Sequence, residues 1–221
     1  MNGYDFTLHG AQLTALGSGA LHWRDQRLLV VSDLHFGKAA RLARVGGALL
    51  PPYEVRDTIT RLDSDIDRHA ANTVICLGDS FDEMASANDL PEAEALWLTR
   101  LMAGRRWIWI AGNHDPAPLG LGGTHLAEVC IAGISFRHIA DPAASGEVSG
   151  HYHPKARLSA RGASLSRACF LLDTARAILP AYGTYTGGLS SAAAPLCALM
   201  QHGAIAVLTG VRPCAIPMPR G

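Results

Sequence analysis

The chain has 221 residues, of which 48% are apolar, so it can bury a sizeable core as one domain and intrinsic disorder is disfavoured. Its 19 Lys and Arg residues balance 19 Asp and Glu residues, and a net charge of zero excludes a global basic field acting on polyanions. Nucleic acid, if it is a substrate, must be recognised by a local site. Only Lys38 and Lys155 are lysines; the other basic residues are arginines, the better bidentate partner for phosphate. The five cysteines form no CxxC pair, which argues against a disulfide framework or thiolate zinc site and for a reducing cytoplasm. No basic n-region opens the chain, and no segment approaches the ~18 apolar residues of a membrane span, so a soluble, non-exported protein without membrane partners is expected.

Taken in chain order, short strands are predicted over 6–8, 13–16, 20–23 and 28–32, with a hairpin turn at Gly17, Ser18 and Gly19. After Pro51-Pro52, Val55, Ile59, Leu62 and Ile66 recur at helical spacing and predict a helix lying on a sheet. A β-branched strand follows over 73–77, then a helix from Pro91 through Leu98, Leu101 and Met102 that Gly104 ends. The next apolar run, 107–111, also stops at a polar tip, and the recurring order of strand, tip and helix argues for layered α/β architecture. Further strands are predicted over 131–138, 147–150, 167–173, 176–179, 204–208 and 211–215, fitting a mixed sheet or two-sheet sandwich. Trp107 and Trp109 alternate on a strand and are expected in the core. The segment after Leu189 offers packing but no chemistry.

Polar residues sit directly after these apolar runs: Asp33-Leu34-His35, Gly78-Asp79, Gly112-Asn113-His114-Asp115, His138 and Gly150-His151-Tyr152-His153. Loops at strand ends converge on one edge of an α/β sheet, where ligands bind. A single histidine there is most often structural, yet five of the ten histidines fall in these places, whereas His9, His22, His69, His125 and His202 do not. Carboxylates, an amide oxygen and imidazoles without sulfur suit manganese, iron or zinc better than magnesium or calcium. Seven such ligands fill most of two coordination spheres, favouring two ions roughly 3.5–4 Å apart. In extended chain, residues two apart point the same way, so both members of Asp33-x-His35 and of His151-x-His153 are expected to reach the metals.

The ordered set DLH, GDSFD, GNHD, His138 and GHYH resembles the motifs of the calcineurin-like metallophosphoesterases across 33–153. The resemblance implies a four-layer αββα sandwich in which Asp33, His35 and His153 hold one metal, Asn113, His138 and His151 the other, and Asp79 bridges them. It implies further that His114 contacts the phosphate and assists the leaving group, with Asp115 orienting its imidazole. Manganese is the expected metal, with Fe, Zn, Ni or Co as alternatives. Ser32, Phe36-Gly37-Lys38-Ala39-Ala40, Pro51-Pro52, Leu179-Pro180-Ala181-Tyr182-Gly183 and Tyr185-Thr186-Gly187-Gly188 are similar to one branch, the bacterial ligase-associated DNA-damage-response endonucleases. Asp82 departs from that branch, which tends to have histidine there; it is either a partner of a ligand histidine or a solvated loop carboxylate.

The mechanism implied is hydrolysis, because solvent between two divalent ions can lose its proton near neutral pH and attack phosphorus in line. Lys38, Arg41 and Arg44 are candidates for contacting a second phosphate or a DNA backbone, against the alternative of a solvated helix face. The leading expectation is a phosphodiesterase or nuclease acting on DNA in a repair context, with DNA-repair proteins as partners. The rivals are a phosphomonoesterase or a nucleotide or lipid-precursor pyrophosphatase, and a non-catalytic interaction module on the same fold.

Overall fold

Two mixed β-sheets face one another, with helices on both outer faces. The structure, a computed structural model, describes residues 3–47, 50–51, 53–83, 89–115, 120–160 and 163–220. The first sheet holds β1 (Gly3–Leu8), β2 (Ala11–Leu16), β3 (Leu21–Trp23), β4 (Leu28–Val31), β5 (Thr73–Leu77), β6 (Arg106–Ile110) and β7 (Thr124–Leu126), in that spatial order. It is antiparallel as far as β4 and parallel from there to β7. The second holds β8 (Glu128–Ile131), β9 (Ile134–Arg137), β10 (Glu147–Ser149), β11 (Lys155–Ala160), β12 (Ala163–Leu172), β13 (Arg176–Ile178), β14 (Ile205–Leu208) and β15 (Cys214–Pro217). Its path runs β15-β14-β12-β13-β10-β9-β8, with β11 paired to β12 off that path.

Alternation along each strand produces the layers. In β4, Leu28 and Val30 enter the core between the sheets while Leu29 and Val31 face the helices; Ile75 against Val74, and Ile108 against Trp107 and Trp109, repeat the division. In β12, Phe170 and Leu172 meet the inter-sheet core, whereas Cys169 and Leu171 turn outward to α4 (Ala194–Leu199), beside Leu196. The helical layer of the first sheet contains α1 (Lys38–Arg44), α2 (Glu54–His69) and α3 (Glu92–Met102). Helix α2 buries Val55, Ile59, Leu62 and Ile66 on that layer, each contributing about 1.5–3 kcal/mol of transfer free energy. Acidic Glu54 and Asp57 in its first turn and Arg68 and His69 in its last complement the helix dipole.

The strand predicted over 131–138 is instead a hairpin, because Ala132 and Gly133 adopt φ of 44° and 84° and turn β8 back on β9. The last strand begins three residues later than 211. Strands β11 and β7 also arise where no strand was predicted, and β12 begins four residues before the predicted 167. After the third polar tip the described chain enters β7 without a helix. Pro52, proposed with Pro51 as the start of α2, lies outside the described residues.

Candidate metal centre

The loops after β4 and β5 continue side by side beyond the sheet. His35 and Phe36 N–H donate to the carbonyls of Asp79 and Ser80 at 2.9 Å each, and Asp82 N–H returns to Phe36 O at 3.0 Å. This lacing buries Asp33, His35, Asp79 and Asp82 at one edge, with His138 arriving from the end of β9. Two clusters result, Asp33 with His35 and His153, and Asp79 with His138 and His151, each with its ligand atoms within 4.8 Å of one another. They adjoin, since Asp33 Oδ1 is 4.0 Å from His138 Nδ1.

The backbone delivers these side chains differently from the extended geometry expected. Asp33, His35, Asp79, His151 and His153 have φ of 53°, 47°, 47°, 71° and 46°, half of the ten non-glycine residues with positive φ among those described. The members of each pair thus converge through left-handed corners rather than strand alternation, at a cost of order 1–3 kcal/mol per residue that the packed loops sustain. The motif glycines have a related cause: a Cβ on Gly112 would lie 2.3 Å from Asp79 Oδ1, and one on Gly150 1.7 Å from Ser32 Oγ.

The hydrogen bonds leave metal-binding lone pairs pointing inward. Asp33 Oδ2 accepts from Ser32 Oγ–H and from His151 N–H at 2.9 Å, while buried Oδ1 has no aligned donor, with His153 Nε2 3.1 Å away. His138 Nδ1–H donates to Leu77 O at 2.7 Å, which directs its Nε2 toward Asp79 Oδ2, 3.3 Å distant. His35 Nδ1 lies 2.9 Å from Asp82 Oδ1, and its Nε2 faces His153 Nε2 at 3.4 Å. Imidazole nitrogens crowded against one another and against an orphaned carboxylate oxygen match the donor set of a borderline divalent cation.

Burial opposes ionisation of Asp33 and Asp79, but the contacts and charge of His153 and His138 outweigh it and hold both below the usual carboxylate range. Burial likewise opposes ionisation of Asp82, yet His35 and Arg41 bring it down to about 2. His138 is raised by Asp79 and Asp33 against its burial, whereas burial and neighbouring His138 lower His151.

Asp82 is therefore a buried partner of His35, not a solvated loop carboxylate. It also holds Arg41 Nε, with Lys38 Nζ 4.0 Å away, while Arg44 pairs with Glu83 and with Asp89 at 3.4 Å. The basic residues of α1 are thus engaged with acidic side chains of the 82–89 region. His114 stands exposed above the first cluster, its ring 5.3 Å from that of His35 and its N–H donating to Asp79 Oδ1 at 2.9 Å.

The expected partner of His114 is corrected. Its Nδ1 bonds Asp82 O at 2.8 Å, while the Asp115 carboxylate is buried and accepts N–H groups from Asp79, Ser80, Phe81 and Gly112. Asp115 thus clamps the 79–81 loop, and burial pushes its carboxyl up to about 6 despite those bonds. Asn113 is exposed between Gly112 and His114, and among the described residues its side chain has no hydrogen bond to either cluster. The sequence did not disclose Leu77 O and Asp82 O as orienting acceptors, because a backbone carbonyl leaves no signature in residue type. Tyr182 N–H bonds Ser32 O at 2.8 Å and Gly183 N–H bonds Asp33 O at 3.1 Å, which explains why the Leu179–Gly183 stretch accompanies the first motif.

A calcineurin-like phosphoesterase family model matches residues 26–183, spanning both clusters. The chain belongs to this family. As a calcineurin-like phosphoesterase it is a metal-dependent phosphoric ester hydrolase, and the two clusters are the candidate seats of its divalent metals. Its structure is similar to that of Pseudomonas putida nuclease MPE, with a TM-score of 0.73 and 26% identity over 96% of this chain and 100% of that one. No curated protein sequence matches the chain. The αββα sandwich is the architecture expected, and no described helix is long and apolar enough to cross a membrane.

Proposed function

We propose that this phosphoesterase is a phosphodiesterase acting on DNA in the cytoplasm, in a repair context alongside DNA-repair proteins, with two manganese ions at the paired clusters. The observation that carries the reading is the adjacency of two three-residue donor clusters beneath one exposed imidazole; similarity to a nuclease supports the choice of diester. Asp33, His35 and His153 would hold one ion, His138 and His151 the other with Asn113 completing it, and Asp79 would contribute to both. Bound there, the ions supply Lewis acidity and lower the pKa of solvent toward neutrality.

The chain's own groups then divide the remaining work. His114, whose Nδ1–H donates to Asp82 O, presents Nε2 to a phosphoryl oxygen or to the leaving oxygen and, as the imidazolium, can hand over the Nε2 proton there. Asp82 fixes the His35 ring, and Lys38 and Arg41 fix Asp82. Arg44, the most exposed of the three, would exchange its pairing with Glu83 and Asp89 for a DNA backbone.

Manganese-loaded protein is expected to hydrolyse bis(p-nitrophenyl) phosphate and single-stranded DNA faster than p-nitrophenyl phosphate, and His114→Ala to lower the diester rate by about 10²–10³-fold. Faster monoester hydrolysis would replace the diester reading with a phosphatase one.

A further inference from the structure

Two segments border the first donor cluster without taking part in the hydrolytic chemistry: the 183–189 loop and the β11 and β12 hairpin. The loop spans two ligands. At one end Gly183 N–H bonds Asp33 O at 3.1 Å, and at the other Leu189 N–H reaches His153 O at 3.2 Å. Between them Thr184 ties the loop to α2, its N–H donating to Thr58 Oγ1 at 3.2 Å and its hydroxyl to Asp57 Oδ2 at 2.6 Å. On this fastened loop Tyr185 has a φ of 64°, and its ring meets that of Tyr53, at the start of α2, with centroids 5.9 Å apart. Tyr53 is 54% exposed, so the pair presents open ring surface to solvent.

The hairpin begins where the metal centre ends, since β11 starts two residues after His153. Within β12, β13 pairs only with Leu171 and Leu172 and β14 only with Cys169–Leu172, so among the strands the stretch from Ala163 to Ala168 pairs with β11 alone. It projects beyond the sheet. Strand β13 runs parallel to β10, whose far end leads into His151, and β12 runs against β13, so the projection leaves from the metal-bearing edge. Along β11, buried Ala156 turns to the α4 layer, which puts Lys155 and Arg157 on the opposite face, across from Ala168 and Ser166. Two residues further along β12 that face carries Phe170 into the core between the sheets. The two cations therefore extend the inner face past the loop edge.

Neither cation is claimed by a carboxylate. Lys155 Nζ has a 3.4 Å bond to Thr186 O, which joins hairpin to loop, and the guanidinium of exposed Arg157 has no ion pair or hydrogen bond among the described residues. All 19 Asp and Glu residues are among those described, and none pairs with Lys155 or Arg157. Helix α1 differs, because Asp82, Glu83 and Asp89 hold its Arg41 and Arg44. We propose that this rim is the surface along which a nucleic-acid strand lies beside the first cluster, a base stacking on Tyr53 and phosphates meeting Lys155 and Arg157. The inference rests on the nuclease reading above and adds the residues that hold the strand. Every base has a ring face and every nucleotide a phosphate, so such a rim supplies affinity without reading sequence. With a net charge of zero, local contacts of this kind are what attracts the strand.

The test compares the manganese-loaded full chain on a dodecathymidylate and on bis(p-nitrophenyl) phosphate, a diester with neither a base nor a second phosphate. Tyr53→Ala and Arg157→Ala should each raise the KM for dodecathymidylate by about tenfold, while kcat and KM for the small diester stay within about twofold. Tyr53→Phe, which keeps the ring, should match the parent within about twofold on both substrates. The slope of log(kcat/KM) for dodecathymidylate against log salt should become shallower by about 0.7 in Arg157→Ala, the share of one phosphate contact on a single strand, and should not change in Tyr53→Ala. An unaltered dodecathymidylate KM in either alanine variant, or an equal loss on both substrates, would overturn the rim and leave the nuclease reading standing. A parent chain that hydrolyses bis(p-nitrophenyl) phosphate but not dodecathymidylate would overturn the DNA reading itself, and the strand path with it.

Discussion

The interior between the two sheets and the loop edge above it are built from the same strands and obey opposite rules. Within β4, β5, β12 and β14 the inward positions are Leu28, Val30, Ile75, Leu77, Phe170, Leu172 and Val207, packed without a charge among them. Two to five residues beyond β4 and β5 the chain buries Asp33, His35, Asp79 and Asp82, several in backbone conformations that most side chains avoid. Cohesion resides in the first region and chemistry in the second. Removing an atom from one should therefore leave the other's property intact, and this separation can be tested from both sides.

The largest effect is expected at Asp79. Asp79→Asn keeps the shape and removes the charge, and should lower manganese-dependent diester turnover by about a thousandfold or more while the melting temperature changes by only a few degrees. A joint collapse of activity and melting temperature would show that the edge carries stability too. From the other side, Phe170→Ala should cost about 3–5 kcal/mol in denaturant unfolding while bound metal per folded chain is unchanged.

A third measurement asks what burial does to a titrating group far from the metals. His22 has a folded pKa of about 4, below the 6.5 of an unperturbed imidazole, so the unfolded chain takes up the proton first. Its contribution to stability is complete above pH 6.5 and is lost as the pH falls toward 4, by up to about 3 kcal/mol. His22→Asn should flatten the stability profile in that window, and an unchanged slope would contradict the assignment. The smallest effect is expected at Asp82, which acts through His35: Asp82→Asn should weaken manganese binding by about 10–100-fold, seen by calorimetry, with the fold unaltered.

Much of both regions is legible in the sequence, for different reasons. An unbroken apolar run is a property of residue type, so Leu28 to Val31 and Trp107 to Ile110 announce themselves as strands, while the face each residue takes is settled by packing. The loop edge announces itself through carboxylates and imidazoles placed after such runs. Asp115 shows where residue type falls short: the letters place it beside His114, but only the folded chain shows its carboxylate turned to the backbone of 79–81. The hairpin at Ala132-Gly133 and the acceptors Leu77 O and Asp82 O are likewise matters of backbone path. His22 and His69 are 47 positions apart in the chain, and only folding brings their rings to 4.4 Å.

The left-handed corners at Asp33, His35, Asp79, His151 and His153 also restrict which amino acids evolution or an engineer can install there. Asn, Asp and His enter that conformation more readily than other side chains, and they are also oxygen and nitrogen donors. Backbone geometry thus filters the alphabet before any ion is chosen: a branched or bulky replacement is penalised by its own main chain, and a switch to thiolate coordination would require the corners themselves to be rebuilt.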